Sequence, residues 1–196
     1  MRKFNVLYDS SYMGKQLVTR TSPNQGFNRE ILDRIGLLIK NMTSKRARTY
    51  GIVIGVNFPE NKQYPWNNNL MNVFIEKLKK YFKYKKIDCK YLWVMEKSKS
   101  SKNIHYHILL LLNGYHVKSF YNHGKTALKI WAKTLNINGA GGLIHYEDQG
   151  ILLDSSKPLE DFMNANDKLF KWASYIAKIR DRFYMPGVRC FDSSQI

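Results

Sequence analysis

A chain of 196 residues with 44% hydrophobic and 14% aromatic content is long enough to bury a substantial core, which excludes a disordered tail. Thirty-two Lys and Arg against fifteen Asp and Glu leave a net charge of +17, which points to a polyanionic partner, nucleic acid ahead of a membrane surface. Only Cys89 and Cys190 occur, so a disulfide framework and a cysteine-based zinc site are both excluded.

Residues 1–26 are polar and are expected to form an N-terminal arm, with residues 27–196 as a single domain. From Asn28 to about Met42, Ile31, Leu32, Ile35, Leu38 and Ile39 recur at helical spacing. A basic stretch, Lys45-Arg46-Ala47-Arg48, leads into Tyr50–Val56, a β-branched run that predicts a strand ending at Asn57-Phe58-Pro59. Leu70, Val73, Phe74, Leu78 and Phe82 mark an amphipathic helix between about Trp66 and Lys83. Tyr91–Glu96 and Ile104–Leu110 predict a hairpin joined by the polar loop Lys97–Asn103. A helix around Lys125–Leu135, a short strand near Leu143–Tyr146, a helix from about Ala165 to Arg182 and a tail from Pro186 complete the chain. Together these elements predict an α+β domain, with helices packed on one face of a mainly antiparallel sheet. No apolar core of signal-peptide length follows Met1, and the longest greasy run is Ile108–Leu112. A soluble, cytoplasmic protein with no membrane association is the expectation.

His105-Tyr106-His107 falls within the second hairpin strand. Strand side chains alternate, so both imidazoles point to one face and can converge on one cation. Glu96 ends the preceding strand. If residue 96 pairs with residue 105, its carboxylate joins the same face as a hard oxygen ligand; a slip of one residue sends it to the other face. In the last helix Leu169, Trp172, Ala173 and Ile176 form the core stripe, whereas Lys171, Tyr175, Lys178 and Arg182 share the opposite side. A phenol there can attack a phosphate when cations and a metal stabilise the developing charge, and Lys178 is spaced to assist. DNA phosphates are expected on Lys45, Arg46 and Arg48, on the hairpin-loop residues Lys97, Lys99 and Lys102, and on Lys171 and Arg182. Tyr106, Trp93 and Trp172 are the aromatic residues nearest these motifs, with a core role expected for all three. His116, His123 and His145 have no partner at ligand spacing and are expected at the surface or in structural roles.

A hydrophobic strand, a His-hydrophobe-His strand and Tyr175-Ile176-Ala177-Lys178, in that order over residues 48–182, resemble the HUH endonuclease signature of rolling-circle replication initiators. The tail Pro186-Gly187-Val188-Arg189 with Phe191 resembles more narrowly the inovirus-type replication proteins of filamentous phages and prophages. The resemblance implies a five-stranded antiparallel sheet in a ferredoxin-like arrangement. It also implies nicking of single-stranded origin DNA, hairpin-folded or open, to a 5′-phosphotyrosyl enzyme and a free 3′-OH with Mg²⁺ or Mn²⁺. In that scheme His105, His107 and Glu96 hold the metal, Tyr175 is the nucleophile and Lys178 its helper. Residues 171, 172, 178 and 179 are Lys, Trp, Lys and Ile, so no second tyrosine lies one turn away and the one-tyrosine subclass is implied. The sequence contains no Gly-x-x-x-x-Gly-Lys loop, so unwinding is expected from a host helicase. Two rivals stand beside this reading: a non-catalytic basic DNA-binding regulator, and an HUH relaxase or transposase using the same chemistry on other DNA.

Overall fold

The computed structural model describes residues 5–19, 25–97, 101–146, 149–179 and 187–196. Its centre is a sheet built on β5 (Arg48–Val56), β6 (Cys89–Glu96) and β7 (His105–Asn113). β8 (Ile144–Tyr146), β9 (Ile151–Asp154) and β10 (Phe191–Ser193) extend it. Among the described residues this six-stranded sheet is antiparallel throughout, in the order β10-β6-β7-β5-β8. β8 and β9 share one edge of β5, the first against Ile54–Val56 and the second against Arg48–Gly51.

Four α-helices pack on this sheet: α1 (Arg29–Lys45), α2 (Asn69–Tyr84), α3 (Tyr121–Leu135) and α4 (Leu159–Ala173). β5-α2-β6-β7-α3-β8 is a ferredoxin-like unit, in which each helix links two parallel strands separated by a third. Tyr50, Ile52 and Ile54 of β5 and Ile108 and Leu110 of β7 meet Phe74, Leu78 and Trp131 of α2 and α3. On the other face Leu92, Val94, Leu109 and Leu111 meet Ile31 and Ile35 of α1 and Leu169 and Phe170 of α4. Helices on a single face were expected; α2 and α3 meet that expectation, and α1 and α4 cover the reverse. The reason is visible in Ile108–Leu112, which is apolar at every position and therefore must be covered on both sides. Gly51 lets α4 come close, because a Cβ there would lie 2.6 Å from Leu169.

Several boundaries differ from expectation. Helix α4 starts at Leu159, behind Pro158 and with Glu160 and Asp161 in its first turn, where acidic groups favour the helix N-terminus. It stops at Ala173 and gives way to a 3-10 turn, Ser174–Ala177, after which Lys178 is extended at φ −57°, ψ 131°. Ser174 fixes the change: its hydroxyl donates to Lys171 O at 2.6 Å and accepts from Val18 N at 2.9 Å. The short strands β1 (Val6–Leu7), β2 (Ser11–Tyr12), β3 (Lys15–Gln16) and β4 (Phe27–Asn28) pair as β1-β4 and β2-β3. Leu7 and Leu17 are buried in the α1/α4 core, and Ile179 N donates to Gly26 O at 2.8 Å, tying this region to the end of the 3-10 turn. No described helix is long and apolar enough to cross a membrane.

Candidate metal centre and its tyrosine

The β6–β7 register pairs Glu96 with His105 and Val94 with His107. Glu96, His105 and His107 therefore share the α1/α4 face, as one of the two registers open to the sequence requires. Glu96 Oε2 lies 3.1 Å from His105 Nε2 and 3.3 Å from His107 Nε2. Neighbouring ligands on one ion with bonds of roughly 2.1 Å stand about 3.0–3.4 Å apart, so these separations suit a shared cation. Glu96 Oε1 is buried with no hydrogen-bond partner, a donor atom left over by the protein's own contacts. Glu96 is 3% exposed, while the histidine side chains keep 25% and 18%. The group is held from the protein side and open on the other. Burial pushes the Glu96 carboxyl up, but hydrogen bonds from His105 and His107 outweigh it and hold the group down at about 2. One carboxylate and two imidazoles fit a divalent cation and do not by themselves select which.

The 3-10 turn delivers Tyr175 to this group. Its ring stands edge-on to His107, centroids 5.3 Å apart at 84°. Lys178 is not on a helix with Tyr175, as the spacing predicted. It is buried beyond the turn, where its Nζ donates to Thr19 O at 2.7 Å and lies 5.3 Å from the Tyr175 ring centroid. Lys178 is thereby an inward cation on the phenol rather than part of an exposed helical stripe, because the helix ends at Ala173. Lys171 stays exposed and donates to Gln16 Oε1 at 3.3 Å.

A model of the YagK/YfjJ C-terminal domain matches residues 9–194. The chain belongs to the YagK/YfjJ C-terminal domain family. No curated protein and no solved structure matches it significantly. Glu96, the two histidines, Tyr175 and Lys178 all lie within the matched span.

The cations expected to hold DNA are divided within this YagK/YfjJ domain. Lys97 donates to Ser101 O and sits 5.2 Å over the Trp66 ring, and Lys102 is exposed on a cleft beside His105. Lys45, Arg46 and Arg48 gather at the other end of the sheet. Arg48 begins β5 and Val56, which pairs with Tyr106, ends it; eight strand steps of about 3.3 Å put roughly 26 Å between them. Arg46 is ion-paired with Asp88, while Arg48 is paired with Asp154 at 2.8 Å and lies 5.3 Å from the Tyr115 ring. Lys99 and Arg182 lie outside the described residues.

Trp93 is buried and Trp172 is half-buried between the two cores, while Tyr106 is buried with its hydroxyl donating to Asn67 O and Asn68 Oδ1 at the start of α2. His123 Nδ1 is bonded to the Tyr81 hydroxyl at 2.8 Å, with burial first and Lys85 second lowering its pKa. Sequence reasoning missed Asn103. Its buried amide donates to Pro59 O and Lys62 O and accepts from Tyr64 N, clamping the loop after β5 to the loop before β7. Only its position at the end of the hairpin loop hinted at such a role.

Proposed function

We propose that this domain is a metal-dependent, single-tyrosine endonuclease of the HUH class, acting on single-stranded DNA in the manner of inovirus-type rolling-circle initiators. The observation that carries the reading is the approach of Tyr175 to His107, a metal-ligand candidate, at 5.3 Å between rings. A phenol in that position and a Glu-His-His group are unremarkable separately; side by side they supply a nucleophile and an electrophile activator. Mg²⁺ or Mn²⁺, held by Glu96, His105 and His107, would polarise the scissile phosphate and stabilise its developing charge. Tyr175 Oη attacks phosphorus and loses its proton to solvent, the P–O3′ bond breaks, and the departing oxygen takes up a proton from solvent to leave as a free 3′-OH. The 5′-phosphate stays on Tyr175, and attack by a 3′-OH reverses the step and joins the strand. Lys178 holds positive charge beside the ring on which the phosphate is carried. Without metal, Glu96 accepts from the ring N–H groups of His105 and His107 and holds both imidazoles toward one point; metal binding would replace those contacts with ligation by the deprotonated Nε2 atoms.

The test is covalent capture. Purified protein with Mn²⁺ and labelled single-stranded origin DNA should yield an SDS-resistant adduct whose peptide map places the label on Tyr175. Tyr175→Phe should abolish the adduct and keep metal binding. An adduct that survives Tyr175→Phe would refute the nucleophile, and salt-sensitive duplex binding with no adduct in any metal would favour the DNA-binding regulator.

A further inference from the structure

Strand β5 carries two glycines on the α1/α4 face, and the fold uses them differently. Gly51 is filled from above by Leu169, whereas a Cβ on Gly55 would meet nothing nearer than His145 at 3.9 Å. Gly55 is flanked in register by His107 on β7 and by His145 on β8, so all three positions share one face. A half-exposed glycine in the central strand, roughly 5 Å from each neighbour strand, leaves the sheet backbone bare beside the candidate metal centre. Next to it a cleft of about 780 Å³ runs from His105 to His145, with Asn57, Glu60, Asn61 and Lys102 on its walls. That volume is ample for one nucleotide.

Resting on the nuclease reading above, we propose that this cleft seats one unpaired nucleotide next to the scissile phosphate, whose sugar-phosphate passes over the neighbouring bare floor at Gly55, between His107 and the cleft residue His145. The lining favours one chemistry. Lys102 offers charge to a phosphate at the rim, and the acceptors of Glu60, Asn57 and Asn61 suit a base edge bearing an exocyclic amine, as adenine, cytosine and guanine do. Thymine has no exocyclic amine, and its carbonyl oxygens would face the Glu60 carboxylate. His145, exposed on β8, provides a ring on which a base can stack. His145 thereby gains a role that its spacing in the sequence did not assign.

Gly55→Val tests the floor, since a β-branched residue suits a strand while its methyls occupy the open space. Gly55→Ala, whose single methyl meets only ordinary contacts, is the milder step in the same series. With a random pool of single strands about 20 nucleotides long, Gly55→Val should lose about tenfold or more in affinity, with Mn²⁺ binding and melting temperature held. Gly55→Ala should fall between. In sequenced nicked or bound strands, Glu60→Gln with Asn61→Ala should flatten a wild-type bias against T at one position beside the site. Unchanged DNA affinity in both Gly55 variants, or a preference indifferent to Glu60 and Asn61, overturns the subsite. Wild-type protein that binds and nicks while the Gly55 variants match it sinks the subsite alone. If it binds without nicking and the Gly55 variants lose binding, the subsite stands and the nuclease reading falls. Failure of the wild type to bind any single strand overturns both.

Discussion

Glu96 carries two burdens at the residue scale in the proposed nuclease, since it must stay ionised while nearly buried and must leave an oxygen for a metal. Hydrogen bonds from His105 and His107 solve the first, holding a carboxyl ordinarily near 4.5 down at about 2. A group whose pKa is depressed by folding stabilises the native state above its unfolded value, and that contribution disappears as pH falls through the folded value. Metal-free wild-type protein should therefore lose stability between about pH 4.5 and pH 2 by a component that Glu96→Gln lacks, measured by urea melts at steps across that range. Parallel acid curves for the two proteins would contradict the hydrogen-bonded arrangement. At neutral pH the same variant should lose Mn²⁺ affinity by about a hundredfold or more by titration calorimetry, since even outer-shell partners are worth roughly 10–100-fold. The histidine pair was legible from alternation alone, and Glu96 was legible up to a choice of register. Lys178 was legible as a neighbour of Tyr175 but its burial was not, because a lysine three residues after a tyrosine looks solvent-facing on a helix. Only the end of that helix at Ala173 turns it inward.

At the scale of elements, what the sequence disclosed tracks the length of each periodic pattern. α1, α2, β5 and the β6–β7 hairpin repeat their apolar spacing over seven or more residues and were readable. Among the short strands the sequence disclosed β8, three residues long, and not β9 or β10, four and three residues long. The first turns of α4 were missed because Leu159 and Met163 are exposed and mark no stripe. β10 nevertheless matters to the site, since it lies along the strand that carries Glu96. Phe191, Asp192 and Ser193 pair with Val94, Trp93 and Leu92, and Met95 N donates to Cys190 O at 2.8 Å. Removing residues 189–196 should cost about 2–4 kcal/mol, lower the melting temperature by about 5–15 °C and bare the β6 edge to intermolecular pairing. Light scattering during a thermal scan reads both effects. A truncated chain that melts with the wild type and stays monomeric would show that β10 does not brace β6.

For the whole molecule, the net charge of +17 indicates a class of partner but says nothing of where that partner lies. Lys97 and Lys102 stand at the end of the sheet that bears the histidines, Tyr175 and the cleft between His105 and His145. Lys45, Arg46 and Arg48 stand at the opposite end, two of them already ion-paired with Asp88 and Asp154. A single strand running through the cleft should release counterions from the first group and ignore the second. The logarithm of affinity for single strands falls with the logarithm of salt by about 0.7 per phosphate contacted. Lys102→Ala should therefore flatten that slope by about 0.7, and the double variant Lys45→Ala with Arg46→Ala should leave it unchanged. Filter binding of a fixed 20-nucleotide strand over a salt series gives both slopes from one set of titrations. If the double variant flattens the slope and Lys102→Ala does not, the strand travels along the far end of the sheet. Arg48 lies seven β5 steps, roughly 23 Å, from Gly55, whose partner His107 touches the Tyr175 ring, so a strand there would be too far for the phenol to reach its phosphates.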